Sequence, residues 1–517
     1  MNATLKPICK SVNWGGRALR LLITLVVVVG LLPASSSSMA VARVQPILLE
    51  MAAQQPDQVV SVIVQKTAKD DRVERAVKAL GGTITADLSI INGFAVELKA
   101  KEIVQLVKAD GVRQVSLDAP MVSTNCNSDC LTSASNLTNI YDKAIGADKV
   151  WLGTPKRQGT GIGVAVVDAG INWQSDLYTK SGKNRVVANV RFNTDYNQTT
   201  FDNFGHGSHI AGIVGGNGSA SSGKYIGVAP MSDIINVKVS NDDGSTTASK
   251  VVAGLQWVLE NRTKYNIRVV NLSLNSAVSE SYHTNPLNAA VEILWFNGIV
   301  VVVSAGNSGT GALYPPANDP FVITVGASDD KGTTSLADDV VTTFSAYGTT
   351  QDGFAKPDLV APGKNIVSLM GNTSGVIPLQ HPGNRVDNSY FRMSGTSMST
   401  PMVAGAVALL LEDEPTLNPD QVKYRLKATA NKSWAGYNAT KAGAGILDVY
   451  AAVNGTTMQS ANTGITASQL LWTGSTPPAW NSVQWGSVQW GSVQWGSVQW
   501  GSVQWGSVQW GSDYWGP

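Results

Sequence analysis

One pentad of this chain, Gly395-Thr396-Ser397-Met398-Ser399, places a hydroxyl group where a loop passes into an apolar helical run. A serine at a helix N-terminus lies among unpaired backbone N–H groups, and these groups suit a developing oxyanion. The chemistry that such a hydroxyl could perform is nucleophilic attack on a carbonyl carbon. Taken alone, Ser397 would be an ordinary N-cap residue, so its assignment as a nucleophile depends on partners elsewhere in the chain.

An acid and an imidazole stand upstream in settings that suit those partners. The apolar run from Gly161 to Val167 predicts a buried strand that ends in Asp168, and an acid at the carboxyl end of an inner strand points into the ligand crevice of an α/β sheet. His206 stands among small residues just before an apolar-periodic helix. Because a serine hydroxyl is a weak nucleophile at neutral pH, it needs a base within hydrogen-bond reach, and that base needs a group that fixes its tautomer.

These three motifs, in the order Asp168, His206, Ser397, resemble those of the subtilisin-like serine proteases, the subtilase or peptidase S8 family. The resemblance extends over about residues 144 to 453. It implies that the three residues form the catalytic triad of a serine-type endopeptidase. It also implies that Asn307, which follows the apolar run from Val301, donates its amide to the oxyanion, a contact whose loss typically costs about two to three orders of magnitude in turnover. The alternative for Asn307 is a turn asparagine, which its Ala-Gly neighbours favour.

The same resemblance assigns two segments to substrate binding. They are Ser273, Leu274 and Asn275 on an edge strand, and Ser304, Ala305 and Gly306 just before the oxyanion candidate. An extended peptide would pair with such an edge by adding a strand. The family usually has glycine where this chain has Asn275, whose side chain would narrow the first specificity pocket or contact the substrate backbone. The alternative is a strand-end asparagine that faces solvent.

No metal site and no organic cofactor are expected from the sequence. His209 follows His206 at a spacing that some metal sites use, but no Cys or acidic pair stands nearby to complete a shell. His209 is therefore interpreted as a helix-packing residue. Structural calcium is common in the family, but the loop 215–224 contains no carboxylate. Because calcium requires several oxygen ligands that include acids, no calcium site is assigned.

Composition and the N-terminal segment indicate an exported protein that does not bind nucleic acid. The 517 residues carry a net charge of +1 and are 15% charged, which favours neither nucleic acid nor an anionic membrane as a partner. A basic segment and the apolar core Leu21 to Leu32 are followed by Ala40-Val41-Ala42, which predicts a signal peptide over residues 1–42. The apolar core is shorter than the roughly 20 residues that span a bilayer. The alternative is a retained membrane anchor.

Two cysteines follow the signal segment, Cys126 and Cys130. Their even number and the oxidising compartment predict a local disulfide between them. So small a loop would stabilise the fold little, and the alternative is two free thiols.

Residues 43–122 are predicted to form a separate propeptide domain. Within residues 58–118 the hydrophobic pattern predicts the order β-α-β-β-α-β, which is ferredoxin-like. This α+β unit resembles the inhibitor I9-type propeptide that precedes many subtilases. The resemblance implies a folding template and intramolecular inhibitor whose C-terminal tail fills the active site, with cleavage between about Asp118 and Asn125. The alternative is an ordinary N-terminal accessory domain.

Residues 123–455 are predicted to form the catalytic domain, an α/β fold in which helices flank both faces of a parallel β-sheet. Residues 456–480 have the Thr/Ser/Gly-rich composition of a linker. Residues 481–517 form a low-complexity tail with six copies of Ser-Val-Gln-Trp-Gly. Because the odd period sends successive tryptophans to opposite faces of a strand, the tail is interpreted as disordered or as an aromatic surface that binds a cell-surface polymer.

Together these features predict a secreted, monomeric serine endopeptidase that is made as a self-processing zymogen and hydrolyses polypeptide substrates. It would be extracellular, or associated with the cell surface through the tail. Two alternatives remain, a catalytically idle binding protein whose tail is the working part and an esterase that uses the same triad. The four filled catalytic positions argue against the first, and the edge strand for an extended peptide argues against the second.

Overall fold

The structure is a computed structural model, and it describes residues 43–123, 140–195, 198–311 and 313–471. The predicted signal peptide, Cys126 and Cys130, the end of the predicted linker and the repeat tail lie outside the described residues. Within the described ranges, no helix combines the length and the apolar character that crossing a membrane requires.

The N-terminal unit is a five-stranded sheet that shares one hydrophobic core with three helices. Its elements are β1 Arg43–Val44, α1 Pro46–Gln54, β2 Val59–Lys66, α2 Arg72–Ala79, β3 Thr83–Leu88, β4 Gly93–Lys99, α3 Ala100–Leu106 and β5 Val112–Leu117. The sheet order is β1-β5-β2-β4-β3, and β2 pairs antiparallel with both β4 and β5. The predicted β-α-β-β-α-β order is therefore present, with β1 and α1 ahead of it.

Strand β2 explains how this unit buries both faces of its sheet. Val62 and Val64 pack with the three helices in the core of the unit. Ile63, between them, belongs to the main hydrophobic core of the chain. Because alternate residues of a strand point to opposite faces, the second sheet face packs against the large domain that follows.

The strands of that domain, with the short strand that leads into it, form several sheets. In chain order they are β6 Pro120–Ser123, β7 Gly163–Asp168, β8 Val186–Arg191, β9 Asp233–Lys238, β10 Thr246–Thr247, β11 Ile267–Leu272, β12 Leu274–Ser276, β13 Val300–Ser304, β14 Ile323–Asp329, β15 Val340–Val341, β16 Gly348–Thr349, β17 Ala355–Lys356, β18 Leu359–Pro362, β19 Ile366–Leu369 and β20 Tyr390–Met393. The helices of the domain are α4 Tyr141–Ala144, α5 Ala147–Trp151, α6 Gly207–Gly215, α7 Ala248–Asn261, α8 Pro286–Phe296, α9 Val376–Gln380, α10 Thr396–Asp413, α11 Pro419–Thr429, α12 Ala439–Ala442 and α13 Val449–Val453.

The main sheet has eight strands in the order β15-β14-β13-β11-β7-β9-β8, with β18 also paired to β14. Its neighbours run parallel except for the edge strand β15, which pairs antiparallel with β14. The inner strands are rich in Val and Ile because the sheet is covered on both faces. Two helix pairs cover the sheet, α6 with α10 and α7 with α8. The predicted α/β fold is confirmed, and the sheet is mixed rather than purely parallel at one edge.

A separate three-stranded sheet joins the N-terminal unit to the large domain. Strand β6 lies between β10 and β12 and pairs antiparallel with both. Helix α7 also contacts β3, and α8 contacts the turn Ser89–Ile91. The N-terminal unit is thus attached to the large domain through two helices and one inserted strand.

Candidate active site

The carboxylate of Asp168 and the imidazole of His206 are in direct contact. Asp168 is the last residue of β7, and His206 immediately precedes α6. The His206 Nδ1 atom lies 2.8 Å from Asp168 Oδ1 and 2.9 Å from Asp168 Oδ2, and both side chains are buried. The next residue must be small, because a Cβ at Gly207 would stand 2.2 Å from the Gly170 carbonyl oxygen. The glycines around His206 therefore allow the close approach of the helix start to the strand end.

The electrostatics of this pair suit a base. Burial lowers the pKa of the His206 imidazole, but the charge and hydrogen bond of Asp168 outweigh burial and raise that pKa above its usual value. With the carboxylate at Nδ1, the neutral ring carries its proton on Nδ1, and Nε2 is the basic nitrogen. Among the described residues, Nε2 is buried and has no hydrogen-bond partner. The ring is thus oriented as a proton acceptor.

Ser397 is the second residue of α10 and is buried. Its Oγ donates a hydrogen bond to the Ser273 carbonyl oxygen at 3.2 Å, and the Ser273 hydroxyl donates to the Ser397 carbonyl oxygen at 3.0 Å. The predicted nucleophile is thus tied to the segment that was predicted to bind substrate. Helix α10, which carries Ser397, packs against α6, which begins just after His206.

Asn307 follows β13 and contacts the residue before Ser397. Its Oδ1 accepts hydrogen bonds from the Thr396 backbone N–H at 2.9 Å and from the Thr396 hydroxyl at 3.1 Å. The Gly306 N–H donates to the same hydroxyl at 3.1 Å. Because its oxygen is held by Thr396, the amide has a fixed orientation in which the NH₂ group points the other way.

Asn275, in the edge strand β12, is buried, so the solvent-facing alternative does not hold. Its Nδ2 donates to the Ser304 carbonyl oxygen at 2.9 Å. Next to Ser304, Ala305 packs in a small apolar cluster with Leu313 and Ala346. Leu313 was not among the predicted site residues, since no motif points to it. Asn275 and Leu313 thus both contact the segment from Ser304 to Ala305.

The edge strand already holds an extended segment of the chain. In β6, Ser123 lies opposite Leu274, and Val122 lies opposite Asn275. On its other side, β6 pairs with β10. The end of the N-terminal unit is thus an added strand on this edge, and the pairing of a substrate there remains a prediction.

The N-terminal unit also caps a helix of the large domain. The Asp118 carboxylate accepts hydrogen bonds from the Ser249 N–H at 2.8 Å and the Ser249 hydroxyl at 2.6 Å, in the first turn of α7. The Ala248 N–H donates to the Ala119 carbonyl oxygen at 2.9 Å. Orphan N–H groups at a helix start need such partners. Asp118 and Ala119, just before β6, therefore accept the hydrogen bonds of the N–H groups in the first turn of α7.

Asp202 holds the loop that carries His206. Its carboxylate accepts hydrogen bonds from the Gly205 N–H at 2.7 Å and the Ser208 N–H at 2.8 Å. Burial raises the pKa of Asp202, and these two bonds oppose the rise. Sequence reasoning missed this residue, although an acid three residues before a turn glycine is a common local signal for a side chain that bonds nearby N–H groups.

His209 packs in the core, as predicted. Its Nε2 lies 3.1 Å from the Phe391 carbonyl oxygen. Burial, followed by the nearby His206, lowers the pKa of His209 to about 3. In the part of the chain that the structure describes, no group of three or more His, Cys, Asp or Glu side chains is arranged to hold a metal ion.

Comparison with known families fits this arrangement. The family profile described as "Subtilase family" matches residues 159–456, which is more than half of the chain. The chain belongs to the subtilase family. A profile described as "Putative peptidase inhibitor domain" matches residues 28–118 of this subtilase. The predictions of the family, of a serine-type protease and of an inhibitor-like N-terminal unit are therefore confirmed.

Named relatives of the subtilase are proteases. It is 42% identical to serine protease AprX of Bacillus subtilis over 306 residues, which cover 57% of this chain and 67% of the relative. It is 33% identical to subtilisin Savinase of Lederbergia lenta over 272 residues, which cover 53% of this chain and 84% of the relative. The crystal structure of fervidolysin, a keratinolytic enzyme from Fervidobacterium pennivorans, matches with a TM-score of 0.61 at 24% identity. That match covers 78% of this chain and 62% of fervidolysin, and it supports the fold alone.

Proposed function

We propose that this subtilase is a secreted endopeptidase that cleaves polypeptides through Asp168, His206 and Ser397, with Asn307 as an oxyanion donor. The observation that carries the proposal is the pairing of β6 with the edge strand β12, beside the Ser273 carbonyl that accepts a hydrogen bond from Ser397. An extended peptide is held there by its main chain next to a buried hydroxyl. This favours a peptide over an ester as the substrate.

In the proposed reaction, Ser397 Oγ attacks the carbonyl carbon of the peptide bond while His206 Nε2 takes the hydroxyl proton. Asp168 holds the Nδ1 side of the ring and stabilises the imidazolium. The Asn307 amide and the Ser397 backbone N–H stabilise the oxyanion. His206 then returns the proton to the leaving amine. Water, deprotonated by His206, attacks the acyl-enzyme, which releases the new carboxyl end and restores Ser397.

The substrate backbone would pair with Ser273, Leu274 and Asn275, as β6 pairs with β12. The side chain on the acyl side of the cleaved bond would enter the space next to Ser304, Ala305 and Gly306. The buried amide of Asn275 and the nearby Leu313 support a preference for small side chains at this position.

The N-terminal unit is proposed to be an intramolecular inhibitor that the enzyme removes by self-cleavage. β6 occupies the edge that a substrate would use, and Ser123 pairs with Leu274, the neighbour of Ser273. The proposed cut therefore lies beyond Ser123, within the predicted range 118–125. N-terminal sequencing of the mature enzyme tests this position, and a mature chain that begins well before Ser123 would contradict it.

Export is proposed from the leader pattern of residues 1–42. Binding of a cell-surface polymer by residues 481–517 remains a prediction. Deleting those residues tests it, and unchanged association of the enzyme with cells would remove the idea.

The deciding experiment compares the wild-type chain with Ser397→Ala and with Ser399→Ala as a matched control. Ser399 lies on the same helix, is also buried and donates to the Ala361 carbonyl oxygen at 2.9 Å. We expect Ser397→Ala to remain unprocessed and unable to hydrolyse casein, while folded Ser399→Ala matures and is active. Self-processing and casein hydrolysis by purified Ser397→Ala would overturn the assignment.

A further inference from the structure

Residues 465–471, here called the C-terminal segment, are packed although they belong to the predicted linker. Ala467, Leu470 and Leu471 are buried and belong to the main hydrophobic core. Linkers of Thr/Ser/Gly-rich composition normally lie exposed on the surface. The C-terminal segment, which contains no helix or strand, is therefore an irregular but built-in part of the structure.

One side of the C-terminal segment bonds to the large domain. The Ser468 N–H donates to the carboxylate of Glu292, in α8, at 2.7 Å. The Ser468 hydroxyl and the Gln469 N–H both donate to the His283 carbonyl oxygen, at 3.2 Å and 2.9 Å. These bonds fix the position of the two backbone N–H groups.

The other side bonds to the N-terminal unit. Gln65, in β2, donates through Nε2 to the Leu470 carbonyl oxygen. The Arg113 guanidinium donates to the Gln469 and Leu471 carbonyl oxygens, the latter at 3.2 Å. Arg113 is the extra residue of a bulge in β5, and bulges redirect side chains. Three consecutive carbonyl groups thus receive donors from two side chains of the N-terminal unit.

We propose that the C-terminal segment is a docking surface for the N-terminal unit, in addition to the edge strand and the helices α7 and α8. The ligand that this surface fits is the propeptide of the same chain, before cleavage and as a bound fragment afterwards. Conversely, the N-terminal unit holds the end of the C-terminal segment at Gln469, Leu470 and Leu471. When it leaves, the carbonyl groups of Gln469, Leu470 and Leu471 lose these donors, and the segment is held from the large-domain side alone.

Hydrogen exchange on the full chain tests the contact itself, in a Ser397→Ala background that keeps the chain in one piece. The test variant is Gln65→Ala with Arg113→Ala. The control is Gln105→Ala with Arg75→Ala, on helices α3 and α2, where both side chains are exposed. We expect the Ser468 and Gln469 amides to exchange at least about tenfold faster in the test variant, because the segment loses all three hydrogen bonds from the N-terminal unit.

Exchange at the control rate would overturn the proposal. The amides of β2 report whether the N-terminal sheet stays folded in the double variant. If the β2 amides lose protection in the double variant, the single variant Arg113→Ala is used for the same comparison. Arg113 is partly exposed on a bulge, so its replacement leaves the core of the sheet intact.

A second measurement addresses inhibition, and this part rests on the proposed function. Chains that end at residue 464 and at residue 471 are compared for the delay between self-cleavage and full casein hydrolysis. We expect a shorter delay for the chain that ends at 464, since its propeptide has lost one docking surface. Equal delays would contradict a role in inhibition. A lack of activity in both chains would instead count against the proposed function, and the exchange experiment would still decide the contact.

Discussion

Asn275 and Ser304 are joined by two hydrogen bonds. The Asn275 Nδ2 donates to the Ser304 carbonyl oxygen at 2.9 Å, and the Ser304 hydroxyl donates to Asn275 Oδ1 at 3.3 Å. The pair connects the edge strand β12 to the end of β13. A Cβ placed on Gly306 would stand 3.6 Å from Asn275 Oδ1, so the amide lies directly beside the backbone that leads to Asn307. A side chain therefore fills the place where the family resemblance implies a glycine.

Replacing this amide should enlarge the proposed pocket. With Asn275→Gly, we expect the preference for alanine over phenylalanine on the acyl side of the cleaved bond to fall by about tenfold to a hundredfold, the range that small volume changes in apolar pockets produce. The measurement is kcat/KM for two peptides that differ only at that residue. Leu313→Ala should shift the ratio in the same direction. Unchanged ratios in both variants would show that the pocket lies elsewhere.

The raised pKa of His206 predicts the acid limb of the activity profile. The imidazole accepts a proton only when neutral, so kcat/KM should rise with pH through a midpoint above about 6.5, the usual value. With Asp168→Asn, the midpoint should fall and kcat should drop by about 10⁴-fold, because the ring loses its fixed tautomer.

The control is His381→Gln, at an exposed histidine, which should leave the pH midpoint of kcat/KM unchanged.

The contribution of His206 to the free energy of unfolding changes with pH in the opposite direction to its contribution to activity. Since the folded pKa of His206 lies above the unfolded one, its stabilisation is complete below the unfolded pKa and is lost as pH rises through the folded pKa. A midpoint that does not move in Asp168→Asn would contradict the pairing.

Two substitutions at Asn307 separate its donor from its acceptor. Asn307→Asp keeps an oxygen for the Thr396 N–H and hydroxyl but removes the NH₂ group, whereas Asn307→Ala removes both. We expect kcat to fall about 10²- to 10³-fold in each, with KM nearly unchanged, because the oxyanion contact forms only in the transition state. Wild-type kcat in Asn307→Asp would show that the amide donor takes no part.

The buried Asp358 should matter for stability and not for catalysis. It lies at 2.8 Å from Lys356 Nζ, 3.3 Å from Lys423 Nζ and 3.1 Å from Lys427 Nζ. Burial acts to raise the pKa of Asp358, but the three lysine charges outweigh it and hold the pKa well below its usual value. We expect Asp358→Ala to lower the free energy of unfolding by about 3–5 kcal/mol, since it leaves buried cations without their partner.

Urea unfolding in the Ser397→Ala background measures this without self-digestion. Asp57→Asn, which removes an exposed carboxylate that also pairs with two lysines, serves as the control and should have little effect. The contribution of Asp358 is present above its unfolded pKa and is lost as pH falls through its folded pKa. If the free energy of unfolding falls equally with acid in the wild-type and Asp358→Ala chains, Asp358 does not stabilise the fold through the three lysines.

Much of the site could be predicted because its chemistry lies in short motifs at element ends. The apolar run before Asp168 and the helix after Ser397 specify strand and helix locally, and parallel strands bring their carboxyl ends to one edge. The contacts of Arg113 with Gln469 and Leu471 could not be predicted in this way. They join positions more than 350 residues apart. The C-terminal segment has the composition of a linker, yet a few apolar residues hold it in the main hydrophobic core.

Asp118 presents the same difficulty. Its hydrogen bonds to Ser249 join two units, and the hydrophobic pattern of each unit indicates only the core of that unit. The pattern therefore does not predict these bonds. The family resemblance implies a glycine in place of Asn275 and so indicates a changed pocket, but only the fold gives the direction of the Asn275 side chain.

Strand β6 lies between β10 and β12 and pairs with both through main-chain groups. Every polypeptide has the same main chain. Once β6 has left, almost any extended and unpaired segment could therefore take its place between β10 and β12. A folded protein has its strands already paired and offers mainly its exposed loops and termini for insertion. Under the proposed function, an unfolded chain would therefore be cleaved faster than the same chain in its folded state.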